Sequence, residues 1–372
     1  MSNRLHLTRL IVGYAAILAT LPYLWLKLAW LSGSTIGFTD TSIAHGVAHD
    51  GSLLVLNVVT AGMDLVAVFV ALAFTHDWRL PAWLVLVPIW VGTGLLTPVV
   101  LVVPMAFTTH GSPFLEPWVQ PLVYSGFAWQ GVTLLTAFVL YARNRWASVF
   151  TERTGDVPRG ATHPVQVVLA NGAAMPVAAV AALHLAHAAG SGLGLPAGAR
   201  LDAASRVVEA THGVMALLAG GGILWLVHRM GPRLPFWLPV VMTWLGAGAM
   251  FAWGLWGTVN VLGSTVLGSG GAPLAALQGL GKVLAGLVIG LAALVLLAEQ
   301  QSVAGLRRLV VEGRDQPDEE HDGHNRDNHD LNPHARLRGD RSVHATSEMV
   351  VGFRPARTDS AQDTPKELLR SD

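Results

Sequence analysis

The stretch RLPAWLVLVPIWVGTG at residues 79–94 recurs 154 positions later as RLPFWLPVVMTWLGAG at residues 233–248. Both copies begin with Arg-Leu-Pro and carry two tryptophans and two glycines at the same spacing. Three further pairs of segments occur in the same order in both halves. They are ATLP (residues 19–22) with AAMP, LKLAWLSGSTIG (26–37) with LHLAHAAGSGLG, and GFAWQG (126–131) with GKVLAG, at offsets of 154, 157 and 155. Matching segments in one order predict a duplicated unit. The first repeat is assigned to residues 1–155 and the second to residues 156–300.

The composition is that of a protein embedded in lipid. Of the 372 residues, 52% are hydrophobic and 13% are charged, and the mean hydropathy is +0.47. The chain has no cysteine, which excludes disulfides, thiolate metal sites, iron–sulfur clusters and cysteine nucleophiles. The net charge is zero, and no basic patch of the kind that binds nucleic acid is present, so no nucleic-acid partner is expected.

Eight stretches are long and apolar enough to cross a bilayer as helices, which takes about 20 residues. They are residues 10–30, 52–74, 82–105, 121–141, 165–189, 207–227, 236–256 and 274–298. The predicted fold is all-α: a polytopic membrane protein with eight transmembrane helices in a tandem 4+4 repeat. Because four is even, both halves enter the membrane in the same orientation. The charged, histidine-containing segment 301–372 is predicted to be a disordered cytoplasmic tail, because it has little apolar surface to bury.

Basic residues accumulate in short cytoplasmic loops, and their distribution predicts the orientation. Nearly all loop arginines fall at one side of the predicted membrane: Arg4, Arg9, Arg79, Arg143, Arg145, Arg153, Arg159, Arg229 and Arg233. The opposite loops carry only Arg200 and Arg206. The sequence therefore predicts a protein of the cell inner (plasma) membrane, in contact with the lipid bilayer, with both termini in the cytoplasm.

A charged side chain at the centre of a membrane helix costs about 2.5–3.5 kcal/mol, so each such residue is a candidate for function. Asn57, Thr60 and Asp64 share one face of the second span. At an offset of 152, the first two correspond to Glu209 and His212 of the sixth span. The predicted substrate- or ion-binding residues are Asp64, Glu209, His212, Lys282, Asn57 and His184. The alternative interpretation is structural, with Asp64 and Lys282 neutralising one another between packed helices.

A second hypothesis concerns metal binding by histidines. His184 and His187 are three residues apart on one helical face, and with His212 they form a candidate metal set, because imidazole suits zinc, copper and nickel. The alternative is that these are isolated histidines near the membrane interface, since no H-E-x-x-H motif occurs. No cofactor is predicted; haem or a divalent metal belongs only to this second hypothesis. Catalytic residues are not assigned.

The Ala/Leu/Val/Gly-rich spans and the segment LKLAWLSGSTIGFTD at residues 26–40 resemble uncharacterised multi-pass membrane proteins of high-GC bacteria. The plan of two fused four-helix units also resembles the heme A synthase family, whose haem ligands are histidines on even-numbered helices of both halves. In this chain only His212 lies within an even-numbered span. The second resemblance therefore implies a shared architecture and carries no activity.

Three functions remain open at the level of sequence. Tandem repeats with charges inside the membrane favour a transporter or permease for a small solute or ion. The second possibility is a scaffold or accessory subunit that acts with a membrane-protein partner or as a homodimer. The third is an intramembrane haem- or metal-dependent redox enzyme, but the sequence favours a protein that is not an enzyme.

Overall fold

The computed structural model describes residues 3–42, 51–107, 114–195, 200–262 and 273–314, and the regular elements in these ranges are helices. The α-helices, labelled in chain order, are α1 (Asn3–Leu31), α2 (Gly51–Thr75), α3 (Ala82–Ala106), α4 (Val119–Arg145), α5 (Ala147–Thr151), α6 (His163–Ala188), α7 (Ala203–His228), α8 (Trp237–Leu262) and α9 (Pro273–Arg314).

All of these helices except the short α5 are long and apolar enough to cross a membrane. The predicted all-α fold with eight membrane-length helices is therefore confirmed, and the chain has the architecture of a multi-pass membrane protein. Helix α9 continues past the predicted boundary at residue 300 and ends at Arg314, because leucine and valine still recur at helical spacing there. The rest of the predicted tail, residues 315–372, lies outside the described residues.

Helices α1 to α4 form the first bundle. Helix α1 packs against α2 and α4, and α3 packs against α4. The centre of this bundle is an apolar and aromatic cluster that includes Val70, Phe74, Ile89, Leu134 and Tyr141. A bundle of this kind buries one stripe of each helix and leaves the other apolar faces for lipid.

Helices α6 to α9 form the second bundle, and in chain order they correspond to α1 to α4 of the first. Helix α6 packs against α7 and α9, and α8 packs against α7 and α9. Its core includes Ile223, Leu226, Phe236, Met250 and Ile289, each no more than 2% exposed. Three of these four contacts have a counterpart of comparable extent in the first bundle, whereas α7 packs against α8 much more extensively than α2 packs against α3.

The two bundles meet mainly where α3 crosses α8, with a smaller contact between α3 and α7. The indole nitrogen of Trp244 donates a hydrogen bond to Thr93 Oγ1 across this contact, at 3.0 Å. Trp253 donates similarly to the carbonyl oxygen of Leu95, at 3.2 Å. The third helix of each half therefore forms the junction between the halves.

The turns that follow α1 and α6 have the same backbone geometry. Gly33 and Gly190 both have positive φ angles, of 85° and 97°, and so do Gly37 and Gly194, at 82° and 74°. Each glycine lies 157 positions from its counterpart, in the paired segments LKLAWLSGSTIG and LHLAHAAGSGLG. A positive φ suits glycine, which has no Cβ to clash. We call this end of the helices the loop face.

At the other end, a residue in the left-handed conformation follows the end of both α2 and α7. Asp77 and Arg229, which are 152 positions apart, both have a φ of 55°. Asp77 forms an ion pair with Arg9 at 3.3 Å, and Arg9 also donates to the carbonyl oxygen of Phe74. Arg145 donates to Leu80 at this same end, which we call the arginine face.

Candidate functional site

The first polar cluster lies between α1, α2 and α4. Lys27 is only 8% exposed, and its ammonium group donates a hydrogen bond of 2.6 Å to Asn57 Oδ1. The same ammonium lies 5.0 Å from the ring centre of Tyr23 and 5.1 Å from that of Trp30. Aromatic faces attract cations, so these rings offset part of the cost of burying the charge.

Asp64 lies on the same face of α2 as Asn57, about two turns farther from the loop face. It is 5% exposed, and its Oδ2 atom has no hydrogen-bond partner among the described residues. The Gln130 side chain of α4 lies beside it and also donates to Thr20 Oγ1, at 3.0 Å. A buried carboxylate oxygen without a donor is costly, so this atom is a candidate binding position.

The second polar cluster lies between α6, α7 and α9. Glu209 Oε2 is 2.7 Å from His184 Nδ1 and 3.2 Å from His187 Nδ1. On the other side of the His184 ring, Nε2 lies 2.9 Å from Nε2 of Gln278. Gln278 donates there, so Nε2 of His184 accepts and Nδ1 carries the hydrogen that goes to Glu209.

The bond from His187 to the loop fixes where a proton must lie. His187 Nε2 is 2.8 Å from the carbonyl oxygen of Leu193, and a carbonyl only accepts, so this nitrogen carries a hydrogen. A neutral His187 then presents a bare Nδ1 to Glu209. A hydrogen bond between them requires one further proton, held either by the carboxyl oxygen or by the imidazole.

His212 and Lys282 complete the second cluster. The His212 ring is 5.4 Å from the His184 ring and 5.3 Å from the Trp253 ring, measured between centres. Lys282 is 8% exposed, and the carboxylate of Glu209 lies close enough to attract its positive charge. The close approach of α8 and α9 at Gly254, where a Cβ would lie 2.8 Å from the Lys282 Cβ, fixes the position of this lysine.

The six predicted binding residues thus divide between two clusters. Asn57 and Asp64 lie in the first bundle, whereas His184, Glu209, His212 and Lys282 lie in the second. The predicted pair of Asp64 with Lys282 is not formed, because their helices belong to different bundles. The cation that interacts electrostatically with Asp64 is instead Lys27, and Lys282 interacts in the same way with Glu209.

Sequence reasoning did not name Lys27, Gln130 or Gln278 as site residues. One signal for Lys27 was available in the composition. The chain has 24 lysines and arginines, but only Lys27, Lys282 and Lys366 are lysines. The two lysines within the described residues are both buried, whereas the arginines lie near the ends of the helices.

The candidate metal set is affected by the bonds of His187. Both of its ring nitrogens have partners, and Trp30 makes the same bond in the first bundle, with its indole nitrogen 2.8 Å from the carbonyl oxygen of Ile36. His187 therefore holds the loop that follows α6 by a hydrogen bond, as Trp30 holds the loop that follows α1. Within the described residues, no three His, Asp or Glu side chains are placed to hold a metal ion. A metal site at His184, His187 and His212 stays a prediction.

Comparison with protein-family models, curated proteins and solved structures gives no match. The resemblances to membrane proteins of high-GC bacteria and to heme A synthase therefore stay expectations from sequence.

Proposed function

We propose that this protein is a carrier that moves a small solute or ion across the plasma membrane, and that Asp64 binds the coupling cation, a proton in the simplest case. The observation that carries the proposal is the buried Oδ2 atom of Asp64, which has no partner among the described residues. A carboxylate within a membrane helix has to be compensated, and such residues commonly mark ion and substrate pathways.

The alternative, a purely structural pair, has less support in the contacts. Structural pairing would place Asp64 in direct contact with a cation, since contact offsets the loss of hydration. Lys27 instead directs its described hydrogen bond to Asn57, and Asp64 takes part in no ion pair among the described residues. An arrangement that leaves an acceptor open is more useful to a binding site than to a scaffold.

The proposal includes a duplicated origin for the two bundles. It is supported by the helix contacts that recur in both bundles and by the positive-φ glycines at equivalent turns. It is also supported by the left-handed residues that follow α2 and α7, Asp77 and Arg229. Carriers built from two repeats commonly move one repeat against the other around a site at the interface between the repeats, near the membrane midplane; here the polar clusters lie within the bundles, on either side of that interface. The arginine face supports an orientation with both termini in the cytoplasm.

The test is transport by the purified protein in liposomes that contain a pH-sensitive dye. An inward proton gradient is imposed, the membrane potential is clamped with potassium and valinomycin, and the low-molecular-weight fraction of a cell extract supplies mixed solutes. We expect the wild-type protein to acidify the lumen faster than protein-free liposomes. The Asp64→Asn variant should acidify it at the protein-free rate, because the amide keeps the shape of the side chain but binds no proton.

The control is Asp202→Asn, the same chemical change at an exposed position on the loop face. Asn caps a helix about as well as Asp, so this variant should transport like the wild type. The proposal is wrong for protons if Asp64→Asn and wild type acidify the lumen equally. If only uptake of labelled sodium depends on Asp64, the coupling ion is sodium.

A further inference from the structure

Each polar cluster contains one buried lysine and one carboxylate that do not touch. In the first, Lys27 lies on α1 and Asp64 on α2; in the second, Lys282 lies on α9 and Glu209 on α7. None of the ion pairs among the described residues joins these partners. Each lysine nevertheless lies close enough to its carboxylate to interact through space.

Two opposite charges held apart inside a membrane protein are an unfavourable arrangement. Both have lost hydration, and direct contact would recover more of that loss than interaction at a distance. In the first cluster the separation is built in, because Asn57 accepts a hydrogen bond from the ammonium group of Lys27 and Oδ2 of Asp64 has no donor in the part of the chain that the structure describes. A ligand that carries both charges would complete the arrangement.

We propose that the first cluster binds a small zwitterion of the amino-acid type, with its carboxylate on Lys27 and its ammonium group on Asp64. This inference rests on the proposed function, because it names the solute class for the site around Asp64. The pairing matches each group with a charge-assisted hydrogen bond, which is the strong kind. With the Asp64 carboxylate unprotonated, the site is electrically neutral both empty and occupied, so the solute's ammonium group and the coupling proton occupy Asp64 in turn.

The chemistry of the site sets limits on the ligand. Oδ2 of Asp64 needs a hydrogen donor, so a primary or secondary ammonium fits and a quaternary one does not. A simple carboxylate would leave Oδ2 of Asp64 without a donor, and a simple amine would bring a second cation close to Lys27. The use of lysine at this position, in a chain that uses arginine almost everywhere else, suits a compact point charge against a small carboxylate.

The experiment is equilibrium dialysis of the full chain, purified in detergent, against radiolabelled glycine, L-alanine and L-leucine. We expect at least one of these to bind, and neither acetate nor methylammonium to displace it at the same concentration. Lys27→Gln and Asp64→Asn should each weaken binding about tenfold or more, the loss expected when one charged hydrogen-bond partner is removed. Arg206→Gln and Asp202→Asn, exposed changes on the same face, should bind like the wild type.

Folding of each variant is checked by size-exclusion profile and thermal midpoint. If Lys27→Gln fails to fold, Asp64→Asn and the competition with acetate and methylammonium still decide the question. The inference is overturned if none of the three amino acids binds, or if acetate or methylammonium displaces the bound one equally well. Proton transport that depends on Asp64 without amino-acid binding would overturn this inference and leave the proposed function intact.

Discussion

Gly94 of α3 and Gly248 of α8 touch through their backbones at the junction of the two bundles. A Cβ atom on Gly94 would overlap the carbonyl carbon of Gly248, far inside van der Waals contact. We expect Gly94→Ala to force the helices apart and to destabilise the protein by roughly 1–3 kcal/mol, the usual cost of overpacking. The thermal midpoint of the detergent-purified protein measures this.

Gly92 supplies the matched control for that change, since it lies on the same helix and a Cβ there would meet nothing within 4 Å. Alanine favours a helix over glycine by about 1 kcal/mol, so Gly92→Ala should hold or raise the midpoint. Equal losses in the two variants would show that the α3–α8 crossing is not the sensitive point.

The bond from Trp30 to Ile36 should be replaceable by histidine. Trp30→Phe removes the N–H donor, at a net cost of about 1 kcal/mol, which corresponds to a roughly fivefold increase in local opening. Trp30→His should keep the bond, because His187 makes its equivalent in the second bundle. Hydrogen exchange of the peptide covering residues 32–38 measures the difference. Equally fast exchange in both variants would argue against a shared role for the two rings.

Asp202 gives α7 an N-terminal cap whose strength depends on pH. Hydrogen bonds from Ser205 hold the pKa of Asp202 below its ordinary value of 3.8, because they favour the charged form. The stabilisation is therefore present above pH 3.8 and is lost as the pH falls through the lowered pKa. An asparagine cap does not titrate in this way.

We expect the thermal midpoint of the wild type, relative to Asp202→Asn, to decline as the solution is acidified below pH 3.8. The comparison isolates the carboxylate, since both side chains can cap the helix. A difference that stays constant with pH would mean that the charge of Asp202 adds nothing to the cap.

The orientation can be tested by single cysteines, because the natural chain has none. Gly192→Cys lies on the loop face and Arg143→Cys on the arginine face, and both positions are exposed. In intact cells, a membrane-impermeant maleimide should label the first and not the second, because arginine-rich loops stay in the cytoplasm. The reverse pattern would invert the proposed topology, and permeabilised cells provide the control in which both are labelled.

The helices were predictable because the physics of the bilayer leaves few choices. A run of about 20 apolar residues must satisfy its own backbone in lipid, and a helix does so. The ends were harder to place: α9 extends to Arg314, where hydropathy alone no longer requires a helix. The membrane argument also found the charged residues, since each one stands out against an apolar background.

The grouping of those residues was not predictable. Which charges meet depends on which helices are neighbours, and the sequence does not say whether α2 faces α9 or α1. The sequence argument paired Asp64 with Lys282 only because both lie inside the membrane helices, whereas helix packing places Lys27 near Asp64. The role of His187 was within reach, because the paired segments align it with Trp30, but only the hydrogen bonds to Leu193 and Ile36 show the common purpose.

The burial of Lys27 and Lys282 makes the membrane helices poor substrates for a lysine-specific protease. Both cleavage points are in the interior, and the third lysine of the chain, Lys366, lies outside the described residues. A cut at Lys27 or Lys282 requires the helix that carries it to open. The appearance of such fragments over time would therefore report the unfolding of the first bundle and of the second bundle separately, without any label on the chain.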